Sequence, residues 1–392
     1  MSREFVRSLS LPNKSFLLIG PRGTGKSTLL KKKVKPKLIV NLLVSSQYLP
    51  LQQNSSLLHE WVGHLKPGDW VIIDEIQKIP ALMDEVHAIY EEKKLHFAIT
   101  GSSARKLKRG GANLLAGRAL YAQLFPLIRS EFQEHLSLKD YIDWGGLPAV
   151  ITDPNNRKET LATYVETYLR QELIEEGVIR KLDPFVRFLQ VAGIYNAQVL
   201  NVENIAREAH LKRTTVDSYF EILQDTLIGF RLEAIQLGLH TKEVRHPKFY
   251  FFDSGVARAS AGLIFDELDS VWRGFALETQ IFHELRAYNS YAKKNKTLYY
   301  YKVTSGIEVD FIVELEKKTI SRPQKLLAIE VKSSVNWDKR WSHSLAQLLN
   351  YKKSNVKRAI GVYMGQKILT QEGIEIYPLD VFLSKLGAGE LF

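Results

Sequence analysis

Short apolar runs punctuate the start of the chain, at residues 16–19, 37–41, 70–73 and 95–100. Each has the length of a strand covered on both faces rather than that of a helix. Between the second and third runs the pattern turns amphipathic. Leu57, Leu58, Trp61, Val62 and Leu65 fall near helical spacing, and the turn signal Lys66-Pro67-Gly68 ends them. Strands alternating with helices predict a parallel, three-layer α/β domain to about residue 125. The turn clusters Trp144-Gly145-Gly146-Leu147-Pro148 and Asp153-Pro154-Asn155-Asn156 then mark a boundary.

Further along, residues 160–175 and 185–192 read as helices. A short helix over 202–209, a turn at His210-Leu211-Lys212 and a helix over 213–223 follow. Val216, Tyr219 and Leu223 form the expected buried stripe of that last helix, leaving Arg213, Thr214, Thr215 and Ser218 outward. This is helix-turn-helix patterning, and the alternating residues 230–235 resemble a wing strand. A packing module is the alternative reading of the same pattern. The remaining pattern begins with an apolar strand from Lys248 to Phe252, where Asp253 is placed to cap the next helix. It continues with a helix over 272–288, strands over 298–301, 306–313 and 326–332, a helix over 345–351 and a strand over 359–363.

The first run opens into Gly20-Pro21-Arg22-Gly23-Thr24-Gly25-Lys26-Ser27-Thr28, which satisfies G-x-x-x-x-G-K-S. Glycines let consecutive backbone N–H groups turn inward on phosphate oxygens, and the start of the next helix adds its positive end. Lys26 is expected to reach the β- and γ-phosphates of ATP and Ser27 to ligate Mg²⁺. The third run closes on Asp74-Glu75. In that position Asp74 would hold Mg²⁺ through water and Glu75 would polarise the attacking water, which favours hydrolysis over mere binding. Thr100 or Ser102, at the end of the fourth run, is placed to sense the γ-phosphate, with simple turn chemistry as the alternative. The Arg-, Lys- and Gly-rich stretch 105–118 offers Arg118 as a finger acting in trans on a neighbouring subunit. Its plainer role is satisfying carbonyls at a helix end.

In the C-terminal third, the period of two along strands puts Glu308 with Asp310 and Glu330 with Lys332. With Glu278 on the preceding helix, this αβββαβ order resembles the PD-(D/E)xK nuclease core, Val309-Asp310 standing for the proline-aspartate pair. The resemblance implies a restriction-endonuclease-like domain. In it Glu278, Asp310 and Glu330 hold Mg²⁺, and Asp310, Glu330 and Lys332 act on a phosphodiester. Gln347 and Tyr351 match an additional QxxxY motif of some such nucleases. Taken alone, an ExK on a strand is more often a surface ion pair.

Composition changes this picture little. Lys and Arg number 54 against 43 Asp and Glu, a net +11 that favours a polyanion such as DNA. With no cysteine, thiolate metal sites and thiol catalysis are excluded. No apolar run approaches the roughly 20 residues of a membrane span, and the N-terminus lacks a secretory pattern, so a cytoplasmic location without membrane contact is expected.

The text GPRGTGKST, VIIDEIQKIP, TGSSARKLKRGGANLLAGRA and Gly145-Gly146-Leu147-Pro148 resembles a family of bacterial and archaeal AAA-like ATPases. Members of that family often carry a conserved C-terminal domain of unknown function. The resemblance extends over nearly the whole chain. It implies a RecA/AAA-like P-loop ATPase over 1–135, a helical linker over 136–195, a winged-helix-like domain over 196–252 and a nuclease-like domain over 253–392. The expected activity is Mg²⁺-dependent ATP hydrolysis acting on DNA. The alternative is an ATP-dependent switch whose C-terminal domain binds a partner without cleaving it.

Overall fold

The computed structural model describes residues 5–101, 119–132, 135–169, 182–239 and 242–392. They form two compact units, one of Arg7–Leu127 with Glu221–Ile228 and one containing Ile128–Phe220 and Gly229–Phe392. Among the described residues no helix is long and apolar enough to cross a membrane.

The first unit is built on parallel strands β1 (Phe16–Ile19), β2 (Leu38–Asn41), β3 (Trp70–Asp74), β4 (His96–Gly101) and β5 (Leu120–Gln123). Their order is β2-β3-β4-β1-β5, so β4 lies between the strand feeding the glycine-rich loop and the strand ending in acids. Val40, Val71, Ile73, Phe97 and Ile99 from the strands pack with Leu51, Leu58, Leu82, Val86 and Ile89 from the helices. Burying each such side chain is worth roughly 2 kcal/mol. Leu227, from the second segment of this unit, packs against the same core. Two elements carry no clear sequence signal. The Ser45–Gln53 helix contains Pro50 and buries only Leu51, and β5 is an edge strand with Leu120 and Tyr121 exposed.

In the second unit, strands β6 (Gln198–Val199), β7 (Gly229–Leu232) and β8 (Lys248–Phe251) make a small antiparallel sheet in the order β6-β8-β7. Helices Leu182–Ile194 and Val202–Glu208 and the part of helix Arg213–Asp225 up to Phe220 accompany it. Its centre is an aromatic pile in which Phe188 meets Phe220 at 4.9 Å and Phe220 meets Phe249 at 4.8 Å. The buried stripe of the third helix is therefore Val216, Phe220 and Leu223, not Val216, Tyr219 and Leu223. Tyr219 is half-buried and packs edge-on against Phe185. The helix expected over 160–175 is α-helical over Arg157–Thr163 and widens to π turns over Tyr164–Leu169; residues 170–175 lie outside the described residues.

The larger sheet holds β9 (Leu298–Lys302), β10 (Glu308–Glu316), β11 (Lys325–Lys332), β12 (Val356–Tyr363), β13 (Leu369–Gln371) and β14 (Ile374–Pro378). The order is β13-β14-β12-β11-β10-β9. Strands β9 to β11 pair antiparallel, whereas β12 is parallel to both β11 and β14. With helices Ser270–Tyr291 and Ser342–Asn350, the chain follows the expected αβββαβ order, and β13, β14 and helix Leu379–Gly387 continue past it. The pairing of β10 with β9 slips between Val309 and Ile312, so Asp310 sits at an irregularity of the kind that re-aims side chains.

The Gly145-Gly146 turn is explained by a carboxylate far along the chain. Asp253 is buried. It accepts from the Gly146 N–H at 2.6 Å while capping the Ser254–Ser260 helix through the Val256 N–H at 3.1 Å. Ser254 donates to the Ile142 carbonyl at 2.7 Å, and Arg258 stacks over Trp144 at 4.4 Å. Gly145 has φ 81° and ψ −171°, a conformation that belongs to glycine, and a Cβ there would lie 2.0 Å from Asp253 Oδ1. Gly145→Ala should therefore destabilise the protein by roughly 3 kcal/mol or more. Denaturant unfolding checks this, and a loss below about 1 kcal/mol, the ordinary effect of a point substitution, would show that the turn is not constrained.

Candidate functional site

The glycine-rich loop leaves β1 at Gly20, whose missing Cβ would otherwise stand 2.2 Å from the Leu124 carbonyl oxygen. Gly23 and Gly25 take φ 79° and 91°, the left-handed turns that curl the loop before the Lys26–Lys33 helix begins. Thr24 Oγ1 donates to the Pro21 carbonyl at 2.9 Å, and Arg7 braces the loop from behind through the Thr24 carbonyl at 2.7 Å. The buried Lys26 ammonium folds onto the carbonyls of Gly20 and Pro21 at 2.8 and 3.1 Å. Ser27 is half-buried and Thr28 exposed at the helix start, while Arg22 is half-buried in the loop.

The acids stand at the end of β3, and β4 delivers Thr100 beside them. The Thr100 hydroxyl donates to Asp74 Oδ1 and accepts from the Glu75 backbone N–H at 3.0 Å. A fully buried hydroxyl is thus satisfied in both directions by the acidic pair. Glu75 itself adopts φ 64° and ψ 46°, uncommon for a non-glycine residue, and accepts from Gln77. Such strain, of order 1–3 kcal/mol, persists only where the surroundings hold it, and it gathers at functional sites. The donor set suits ATP with Mg²⁺: a helix N-terminus and curled loop for the phosphates, and Ser27 with Asp74 as hard oxygen ligands. Ser102 and Arg118 lie outside the described residues.

The C-terminal acids come together around a residue that the motif does not contain. Lys248, at the head of β8, is buried, and its ammonium lies 2.7 Å from Glu278 Oε1, 2.9 Å from Glu308 Oε1 and 3.4 Å from Asp310 Oδ1. Tyr250 donates to the same Glu278 oxygen. Asp310 Oδ2 accepts from the Val331 N–H at 2.9 Å, Glu330 Oε1 is paired with Lys332, and Lys302 sits 2.5 Å from Glu308. Burial alone would lower the Lys248 pKa, but Glu278, Asp310 and Glu308 outweigh it and hold the ammonium charged well above the usual lysine range. Burial pushes Glu278 up to about 7.

Glu278, Asp310, Glu330 and Lys332 are thus brought into one cluster. They do not fit a single Mg²⁺ shared by Glu278, Asp310 and Glu330, because the Lys248 ammonium already stands between the first two. Among the described residues no group of three or more acidic or histidine side chains is placed to hold a metal ion. Gln347 and Tyr351 instead line an open hollow of about 320 Å³ with Leu239 and Ile307. On the helix over Arg213–Asp225, Arg213 pairs with Glu203 at 2.8 Å and leans toward Asp217 at 3.8 Å.

Comparison with known proteins finds three matching family models along the chain. Residues 12–133 match the family model of an AAA domain, residues 135–267 that of a domain of unknown function, DUF8612, and residues 273–382 that of another, DUF4143. An uncharacterized protein of Mycobacterium tuberculosis is 27% identical over 318 residues, 76% of this chain and 67% of that protein. One of Methanocaldococcus jannaschii is 25% identical over 275 residues, 64% of this chain and 59% of its own. Among solved structures, the ORC1 protein of Aeropyrum pernix in complex with DNA covers 64% of this chain and 87% of its own, at 13% identity and TM-score 0.27. A Vibrio cholerae protein covers 96% of this chain and 97% of its own, at 12% identity and TM-score 0.23. At such scores neither likeness carries an argument. The chain joins an AAA-type P-loop domain to two domains of unknown function.

Glu330 brings a pH dependence. Burial, with Asp310 nearby, pushes its carboxyl up to about 8 from the usual 4.5. A folded-state value above the unfolded one contributes stability that is complete below the unfolded pKa and lost as pH rises through the folded one. Glu330→Gln should accordingly flatten the fall of the unfolding midpoint between about pH 5 and pH 8. A fall as steep as that of the wild type would assign the titration to another group.

Proposed function

We propose that the chain is a Mg²⁺-dependent ATPase whose ATP turnover acts on DNA through its C-terminal parts. The observation that carries the ATPase half is the Thr100 hydroxyl, bonded to both Asp74 and the Glu75 backbone at the end of the strand beside the glycine-rich loop. In this reading the loop from Gly20 to Thr28 cradles the phosphates, and Lys26 leaves its carbonyl partners for the β- and γ-oxygens. Asp74 and Ser27 hold Mg²⁺, which when bound offsets charge developing on the phosphates. Glu75 orients and polarises the attacking water. Thr100 links the Glu75 backbone to the Asp74 carboxylate, and Arg118 of a neighbouring copy acts in trans.

The chain's action on DNA is the second half of the reading. Its support is the +11 net charge, the polar start of the Arg213–Asp225 helix in a winged-helix-like arrangement, and Asp310, Glu330 and Lys332 clustered in a nuclease-like strand order. A second reading is an ATP-driven switch whose C-terminal domain binds a partner without cutting it. The position of Lys248 among Glu278, Glu308 and Asp310 favours it.

Glu75→Gln should retain ATP binding and lower turnover by about 100-fold or more, whereas Lys26→Ala should lose binding itself. Nucleotide affinity and phosphate release measured together separate the two; a normal rate for Glu75→Gln would move the water-activating role elsewhere. Phosphate release should also rise when single-stranded or branched DNA is added. Turnover indifferent to every DNA form would leave the switch reading in its place.

A further inference from the structure

We infer that the C-terminal carboxylate cluster carries its cation within the chain, the Lys248 ammonium filling the position between Glu278, Glu308 and Asp310 that Mg²⁺ would otherwise take. The inference deepens the reading of that cluster given above and rests on it for the cluster's role, although its own test needs no DNA.

An ammonium has three N–H groups and no acceptor. Here the three distances of 2.7, 2.9 and 3.4 Å give each of them a carboxylate oxygen on a different side chain. The Lys248 side chain is 3% exposed, so no water is needed to complete the set. Hydrogen bonds to Glu278 and Asp310 and the ion pair with Glu308 thus engage the ammonium with three carboxylates, which a phosphate would have to displace. The aliphatic stem comes from β8, outside the αβββαβ elements, while the acceptors come from the Ser270–Tyr291 helix and β10. Tyr300 offers a ring face 5.5 Å from the same ammonium. The ammonium, with Lys302 at 2.5 Å from Glu308, offsets part of the repulsion that the motif alone would leave among the clustered carboxylates.

The lysine also fixes what lies beyond it. Asp310 is held by Lys248 through one oxygen and by the Val331 N–H through the other, which orients it beside Glu330 and Lys332. Glu330 Oε2 is buried without a hydrogen-bond partner. The opening left in the cluster is thus at Glu330, not at the Glu278–Asp310 pair. Lys248 is a positioning residue, and it acts through Asp310.

Thermal unfolding of the full chain, free of nucleotide, tests this. The wild-type midpoint should be the same in EDTA and in millimolar Mg²⁺. Lys248→Met, which leaves the carboxylates facing one another, should lower the midpoint in EDTA by roughly ten degrees and regain part of that loss in Mg²⁺. A wild-type midpoint that rises with Mg²⁺ as much as the variant's, or a variant indifferent to Mg²⁺, would overturn the inference. If Lys248→Met does not fold, calorimetric titration of Mg²⁺ into the wild type and Asp310→Asn decides. No saturable site at the cluster supports the built-in cation, whereas a wild-type site abolished by Asp310→Asn refutes it. Failure of the DNA reading appears separately, as ATP turnover that DNA does not alter, and leaves these midpoints unmoved.

Discussion

A charged group removed from water must find partners for every donor it carries, and Lys248 meets that constraint with three carboxylates. Because Glu278 belongs to the long Ser270–Tyr291 helix and Glu308 and Asp310 belong to β10, β8 cannot shift without breaking contacts to both. Asp310 passes the constraint on to β11 through the Val331 N–H. A buried ion pair adds little net stability, since desolvation offsets much of the attraction, yet leaving one partner alone is costly. What the cluster contributes is one fixed arrangement of the small sheet, the helix and the larger sheet, rather than a large share of the folding free energy.

The two lysines of the proposed chemistry sit in opposite electrostatic situations. Lys26 rests on two peptide carbonyls, neutral dipoles that a phosphate oxygen can replace with a stronger, charge-assisted bond. Lys248 rests on carboxylates, and a phosphate would have to displace charges of its own sign to reach it. The same residue type is thus poised for exchange in one unit and committed in the other. Thr100 plays an intermediate part. Its single hydroxyl joins the Asp74 carboxylate to the backbone of Glu75, so the two residues are tied together at the end of β4.

Much of the first unit was legible because its signals are local. A buried run followed by the glycine-rich loop, and another closing on Asp74-Glu75, need only a few neighbouring residues to be understood. Thr100 was placed by its position at a strand end, although its two bonds depend on the strand order, which no single run reveals. In the second unit the carboxylates were found from strand periodicity and the order of elements. Lys248 was not, because its three partners lie from 30 to 62 residues away and its own surroundings read as an apolar strand. A charged residue heading a strand that is otherwise apolar was the one available signal. Phe220 in place of Tyr219 shows the limit of helical spacing. Adjacent aromatics fit the same stripe about equally, and the choice is made by Phe188 and Phe249 across the core. The Ser45–Gln53 helix escaped notice because Pro50 and a polar surface hide it.

Leu227, partly buried, packs against the hydrophobic core of the unit that otherwise spans Arg7–Leu127. As the chain leaves the ribosome, that core is left short of a side chain until Glu221–Ile228 has been made. Synthesis from the N-terminus usually lets a first domain fold before the next appears. Here the last segment of the first unit emerges only after the intervening residues 128–220. A chain terminated before Glu221 would leave uncovered the part of that core on which Leu227 packs.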